Sequence, residues 1–276
     1  MKVKWVFEDI LIDAVETNRI KKSAENIGCE IGTINTYQWF LEQNSALPFP
    51  NNDQQCIVYY GSLQLGKLIK QKTNWVPGIW LNYNSFKCST YYNYFYNFLF
   101  NIPFSFLTFG TLREEQIFKN ENEVFIRPDS GFKTFTGNIF KKETFKTELE
   151  KIKNCYDVQP EEIVLLSSVK NIKKEWRVFV VENSIVTGSE YISDKKTSIN
   201  KLPDNVIKYA QNVLNSVQWK PEPAFSIDIC EDYSEKLYVL EINSFNCSGI
   251  YGANTDILVE EINKLAIKDF ESYHSL

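Results

Sequence analysis

The chain has 276 residues, 43% hydrophobic and 24% charged, the profile of a soluble globular protein with one large or two modest cores. A net charge of −5 and a pI near 5.2 leave no global field for DNA or an anionic membrane, so neither duplex nucleic acid nor membrane is an expected partner. The only histidine is His274, which removes Ser-His-Asp, Cys-His and His-ligated zinc chemistry and leaves carboxylates, lysine, arginine, tyrosine or a hard metal.

Residues 3–7 (VKWVF) predict a first strand and residues 9–27 a helix. Residues 56–61 (CIVYYG) predict a second buried strand, and Ser62 opens a helix through about 72. Strand-like pieces follow at 78–82 and 104–109, with a helical stretch at 90–100 between them. The aromatic run Tyr91 to Phe109 is interrupted by Asn93, Asn97, Asn101 and Pro103, which argues against a membrane span. Alternating strands and helices predict a parallel, doubly wound N-terminal α/β domain over 1–115.

A short helix at 111–119 leads into a strand at 122–127, and the texture then changes. Residues 132–140, 162–167, 175–182, 184–191, 224–230 and 237–243 are β-rich, with helices at 142–154, 203–217 and 255–271. An α+β region over 116–276 therefore follows the α/β domain. Six cysteines (29, 56, 88, 155, 230, 247) are scattered with no CxxC, and the early apolar run stops at Glu8. Reduced thiols and a cytoplasmic location are the expectation.

Arginine is scarce: positions 19, 113, 127 and 177 are four of 30 basic residues, so each planar fork invites inspection. The C-terminal hairpin AFSIDIC…LYVLEIN carries the strongest pattern. If opposite residues sum to 469, Asp228 faces Glu241 and Ser226 faces Asn243, while Phe225, Ile227, Ile229, Tyr238, Leu240 and Ile242 share the other side. Two facing carboxylates call for compensation, which a divalent cation with oxygen ligands supplies. A solvated edge hairpin is the plain alternative.

Two further patterns are weaker alone. Arg127 ends a strand, Pro128-Asp129-Ser130-Gly131 is turn chemistry, and Lys133 opens the next strand, which makes a polyphosphate clamp or a pair of surface charges. Glu175 and Arg177 share one strand face, with Trp176, Val178 and Val180 on the other, which also describes an ordinary ion pair.

Taken in order, RPDSGFKTFTG, EWRVFVVENSIVTGSEY and FSIDIC…YVLEINSFNCSGIY resemble the ATP-grasp superfamily, more narrowly its clade marked by two arginines and a lysine in bacteria and phages. The resemblance covers about 122–252 and implies a two-lobed fold after the N-terminal domain. A smaller nucleotide-covering lobe would span about 122–168 and a metal-binding lobe about 169–276. It implies that Arg127 and Lys133 bind phosphates and that Arg177 reaches the γ-phosphate or an acyl-phosphate. Asp228, Glu241 and Asn243 would hold one or two Mg²⁺, or Mn²⁺. The hinge would lie at Ser167, Ser168 and Val169, beside the adenine. Ser167 stands where the hinge often has Glu, and the loop after Arg127 has one glycine, which implies a stiffer flap.

The implied reaction is Mg-ATP-dependent joining of a carboxylate to an amine through an acyl-phosphate. A kinase-type phosphotransferase and a non-catalytic nucleotide-binding module are the alternatives. The substrate would be a small molecule, peptide or protein, with Arg113, Glu175, Ser189, Tyr191, Ser248 and Tyr251 as candidate contacts. The identity of the acceptor and the oligomeric state stay open.

Overall fold

The computed structural model describes residues 1–12, 14–36, 53–119, 121–193 and 201–275. In chain order its elements are β1 (Lys4–Glu8), α1 (Asp9–Ile12), α2 (Val15–Asn26), β2 (Glu30–Ile34), β3 (Cys56–Tyr60), α3 (Leu63–Lys72), β4 (Val76–Gly78), α4 (Cys88–Phe95), β5 (Phe104–Thr108) and α5 (Glu114–Ile117). Then come β6 (Glu123–Pro128), β7 (Asn138–Lys141), α6 (Phe145–Cys155), β8 (Ile163–Ser168), β9 (Ile172–Val181), β10 (Ser184–Ser193), α7 (Asp204–Ser216), β11 (Ala224–Asp232), β12 (Leu237–Ser244) and α8 (Thr255–His274). Among the described residues no helix is long and apolar enough to cross a membrane.

The chain forms two compact units. The first comprises Met1–Leu81, Lys174–Ile229 and Glu241–Leu276. It holds a parallel sheet in the order β2-β1-β3-β4, in which β1 is buried along its whole length, as a strand covered on both faces must be. Its second sheet runs β10-β9-β11-β12, with β9 and β10 joined by Glu182 and Asn183, both at positive φ as a two-residue hairpin turn requires. Trp5, Phe7, Val58, Phe179, Phe245, Leu258 and Ile262 share one core, and α8 packs along α2.

The second unit comprises Asn82–Lys173 and Cys230–Leu240, the turn end of the β11–β12 hairpin. Its antiparallel sheet runs β5-β8-β6-β7. The alternation along β6 buries Val124 and Ile126 in a core with Phe118, Phe135, Phe140 and Phe145 and leaves Phe125 and Arg127 on the other face.

Several expectations change. The helix expected at 9–27 is two helices with Ala14 extended between them, and Asp13 lies outside the described residues. β2 was not predicted: it is a short edge strand interrupted by Gly32, whose pattern is weak. The strand expected at 78–82 ends at Gly78, whose φ is +67° and where a Cβ would lie 2.8 Å from the Trp75 carbonyl oxygen, so the chain turns where the prediction begins.

The strand at 104–109 does not extend the N-terminal sheet. It pairs antiparallel with β8, Phe104 opposite Ser167, so the first sheet is complete before Leu81 and not at 115. Of the strand expected at 132–140 only Asn138–Lys141 forms. Lys133 sits in the preceding loop with φ +50° and donates its N–H to the Ser130 carbonyl, a geometry that no ladder position accepts.

Candidate active site

In the first unit, β9 lies between β10 and β11, which places Arg177 beside Asp228. Arg177 Nε donates to Asp228 Oδ1 at 2.8 Å and a terminal nitrogen donates to Oδ2 at 2.7 Å, a two-point pair. Asp228 is fully buried and Arg177 is 7% exposed. A carboxylate taken out of water needs such a partner, and the guanidinium supplies the compensation that the sequence assigned to a divalent cation. Burial opposes the charge on Arg177, but the Asp228 carboxylate holds its pKa above the ordinary value.

The other members gather around this pair. Glu241 Oε1 is 4.0 Å from Arg177, and Asn243 donates its amide to Glu241 at 3.0 Å and to Asp228 Oδ2 at 3.4 Å. The Tyr191 hydroxyl donates to Glu175 and lies 3.4 Å from Asp228 Oδ2. Burial pushes the Glu175 carboxyl above the usual range, with the Tyr191 hydrogen bond opposing it. Tyr191 and Tyr251 stack at 4.6 Å, and the guanidinium carbon of Arg177 lies 5.5 and 5.1 Å from their ring centres, in cation–π range of both.

Tyr251 has φ +49°, a strained conformation that its loop imposes. Arg19 on α2 donates to the Tyr251 and Ala253 carbonyls, and Glu16, one turn earlier, accepts from Ile250 N–H at 2.7 Å. Arg177 reaches the Gly249 carbonyl at 3.3 Å, and Ser189 accepts from Gly252 N–H at 3.0 Å. Tyr60 donates to the Ser248 carbonyl, while the Ser248 hydroxyl donates to the Ser244 carbonyl at 2.6 Å and pairs with Ser226. Ser189 and Ser248 are thus buried loop anchors. Arg19→Ala removes two donors from part-buried carbonyls and is expected to cost about 1–3 kcal/mol in urea unfolding, with Arg19→Lys recovering only part.

In the second unit, Arg127 shares the face of β6 with Phe125, and Gly137 allows the close approach: a Cβ there would lie 2.9 Å from the Arg127 Cβ. The loop between Arg127 and Gly137 is pinned at several points. Asp129 accepts from Ser89 N–H and Oγ at the start of α4, Phe132 lies 3.8 Å from Tyr83 centre to centre, Thr134 bonds Glu162, and Phe135 is in the core. Lys133 stands exposed between these anchors, consistent with the stiff flap expected from its single glycine.

A cavity of about 270 Å³ in this unit is lined by Phe100, Phe125, Ile139, Ser168, Val169 and Leu240, among others. Ser167 is 4% exposed and its hydroxyl has no hydrogen-bond partner. Arg113 is exposed and donates to the Gly110 and Leu112 carbonyls, which ties it to its own turn. Of the sequence candidates, Glu175, Arg177, Tyr191, Asp228, Glu241, Asn243 and Tyr251 come together in the first unit. Arg127, Lys133 and the 167–169 stretch belong to the second.

Residues 104–260, more than half the chain, match the family described as ATP-grasp domain, R2K clade family 2. The chain belongs to this ATP-grasp family. Its fold is also that of solved ATP-grasp ligases. It is similar to the D-alanine–D-alanine ligase from Coxiella burnetii at 15% identity, covering 100% of this chain and 98% of that one, with a TM-score of 0.64. D-cycloserine synthetase DcsG matches at 7% identity over 96% and 99% of the two chains, with a TM-score of 0.62. The ATP-grasp ligase PsnB, solved with a minimal precursor, matches at 9% identity over 96% and 99%, with a TM-score of 0.54. At such identities these likenesses show the fold alone. No curated protein matches the chain.

ATP-grasp membership implies Mg-ATP, and the donor set can be tested against the metal. Among the described residues no group of three or more His, Cys, Asp or Glu side chains is placed to hold one. Both Asp228 oxygens accept from Arg177, and Asn243 turns its NH₂ toward the two acids. Glu241 and the amide oxygen of Asn243 fit in donor type, because Mg²⁺ keeps several waters and takes one or two carboxylates. Asp228 is first an anchor for the guanidinium.

Proposed function

We propose that this ATP-grasp protein is an Mg-ATP-dependent ligase that joins a carboxylate to an amine through an acyl-phosphate. The observation that carries the reading is the buried Arg177–Asp228 pair with Glu241 and Asn243 beside it. A guanidinium fixed at two points is preorganised to face charge developing on phosphoryl oxygens and need not reorient during reaction. The names of the similar structures, a synthetase, a D-alanine–D-alanine ligase and an ATP-grasp ligase solved with a precursor, favour a ligase over a kinase.

In this reading Arg127 and Lys133 bind the phosphates, and Ser168 and Val169 border the adenine in the cavity of the second unit. Arg177 neutralises the transferring phosphoryl group, and Tyr191 and Tyr251 hold its plane. Glu241 and Asn243 hold Mg²⁺, or Mn²⁺ in its place, which supplies charge neutralisation when bound. The substrate carboxylate attacks the γ-phosphorus, the bond to the β-phosphate oxygen breaks, and ADP leaves. The amine nitrogen then attacks the acyl carbon, phosphate departs, and the nitrogen loses a proton.

The test is incubation with Mg-ATP and either a free amino-acid pool or a cell extract, following ADP and new masses. Acceptor-dependent ADP with a matching amide adduct is expected. A stable phosphoester in place of the amide would establish a kinase, and bound Mg-ADP with no turnover in any mixture would establish a binding module.

A further inference from the structure

Glu8, the last residue of β1, is fully buried. Its Oε1 accepts from the Tyr59 hydroxyl on β3 and from the Ser62 N–H at the start of α3. Its Oε2 is enclosed and has no hydrogen-bond partner. A carboxylate oxygen left unpaired inside a protein is costly, because desolvation of the group is not returned by any contact. Gly61 preserves the arrangement: a Cβ there would lie 2.6 Å from Glu8 Oε1 and 2.5 Å from the Tyr59 hydroxyl.

The position is informative independently of the orphaned atom. In the order β2-β1-β3-β4 the chain leaves β1 toward β2 on one side, and β3 lies on the other. The carboxyl ends of β1 and β3 therefore flank the switch point of the parallel sheet, where open α/β sheets open a crevice for ligands. Glu8 bridges that point through Tyr59 and Ser62. Cys247, on the loop that continues β12, donates to the Ser62 carbonyl at 3.7 Å, so this loop borders the same corner.

We propose that Glu8 forms an amine subsite at this switch point, with Oε2 receiving the primary ammonium group of the acceptor. The chemistry follows from the donor count. One unpaired oxygen does not make the six- to eight-oxygen shell of a hard cation such as Ca²⁺, whereas an ammonium can take it through a single charge-assisted hydrogen bond. The role as acceptor subsite rests on the ligase reading given above; the binding of an amine does not.

The experiment is an NMR titration of the Ser62 amide, which reports directly on Glu8, with methylammonium, ethanolamine and the free amino acids. Sodium chloride at equal ionic strength is the control, and nucleotide is absent. At least one amine is expected to move the Ser62 signal saturably in the wild type. Glu8→Gln, which keeps an acceptor for Tyr59 and Ser62 but removes the charge, is expected to weaken that binding roughly tenfold or more. Tyr59→Phe keeps the charge and is expected to bind still, which guards against a loss caused by misfolding. No saturable shift with any amine, or equal binding by Glu8→Gln, would mean that Oε2 meets only an internal water and would overturn the proposal. Amine binding in a chain that never forms ADP would spare the subsite and sink the ligase; amine-dependent ADP formation untouched by Glu8→Gln would do the reverse.

Discussion

Asp228→Ala is expected to lose about 3–5 kcal/mol in urea unfolding, among the largest effects of any single substitution in the chain. The side chain removed is the two-point partner of a guanidinium that is 7% exposed. The remaining acids cannot replace it: Glu241 stands 4.0 Å away, and Glu175 is engaged by Tyr191. Arg177→Ala is expected to cost a similar amount, because it takes the two-point charged partner from the buried Asp228 carboxylate, and the contacts from Tyr191 and Asn243 are long at 3.4 Å. The double variant Arg177→Met with Asp228→Leu separates stability from function. Removing both charges together removes both desolvation penalties, so this chain is expected to unfold near the wild-type midpoint and to make no ADP. A double variant no more stable than either single one would show that the pair is not coupled as described.

Lys133 should behave in the opposite way. It is exposed, and φ +50° is a conformation that costs a side chain roughly 1–2 kcal/mol and costs glycine almost nothing. Lys133→Gly is therefore expected to be no less stable than the wild type, while ADP formation falls by about 10²–10³-fold, the usual effect of removing one preorganised electrostatic contact. Glu241→Ala is expected to lose a comparable factor while the chain stays folded, because Asp228 keeps its partner in Arg177. Full ADP formation by Lys133→Gly would end the phosphate role assigned to it.

Much of the first unit's cluster was legible because strand alternation does not depend on which strands are neighbours. Glu175 with Arg177 in β9, and Asp228 in β11, follow from period two alone, and burial of the intervening Trp176, Val178 and Ile227 follows with them. The pairing of Arg177 with Asp228 needed the sheet order, which no local pattern states. Scarce arginine pointed to Arg19 as well as Arg177, yet its partners are backbone carbonyls more than 230 positions away, and a carbonyl has no signature in sequence. Five residues, FSFLT, could not say which sheet they join, so β5 was placed with the wrong one. Glu8 was passed over for a related reason: a lone acid ending an apolar strand reads as the start of solvent, and only the packing shows it buried.

The chain crosses between its two units four times, after Leu81, Lys173, Ile229 and Leu240. During synthesis this imposes an order. Trp5 and Phe7 leave the ribosome early, but the core they share includes Leu258, Val259 and Ile262 on the last helix. The first three strands must therefore wait, with apolar side chains uncovered, until α8 has emerged. Residues 82–173 meet most of their own partners in one continuous stretch and can settle sooner. The unit that contributes β1, β2 and β3 is completed only by α8, and nascent-chain protection should fall chiefly on those three strands.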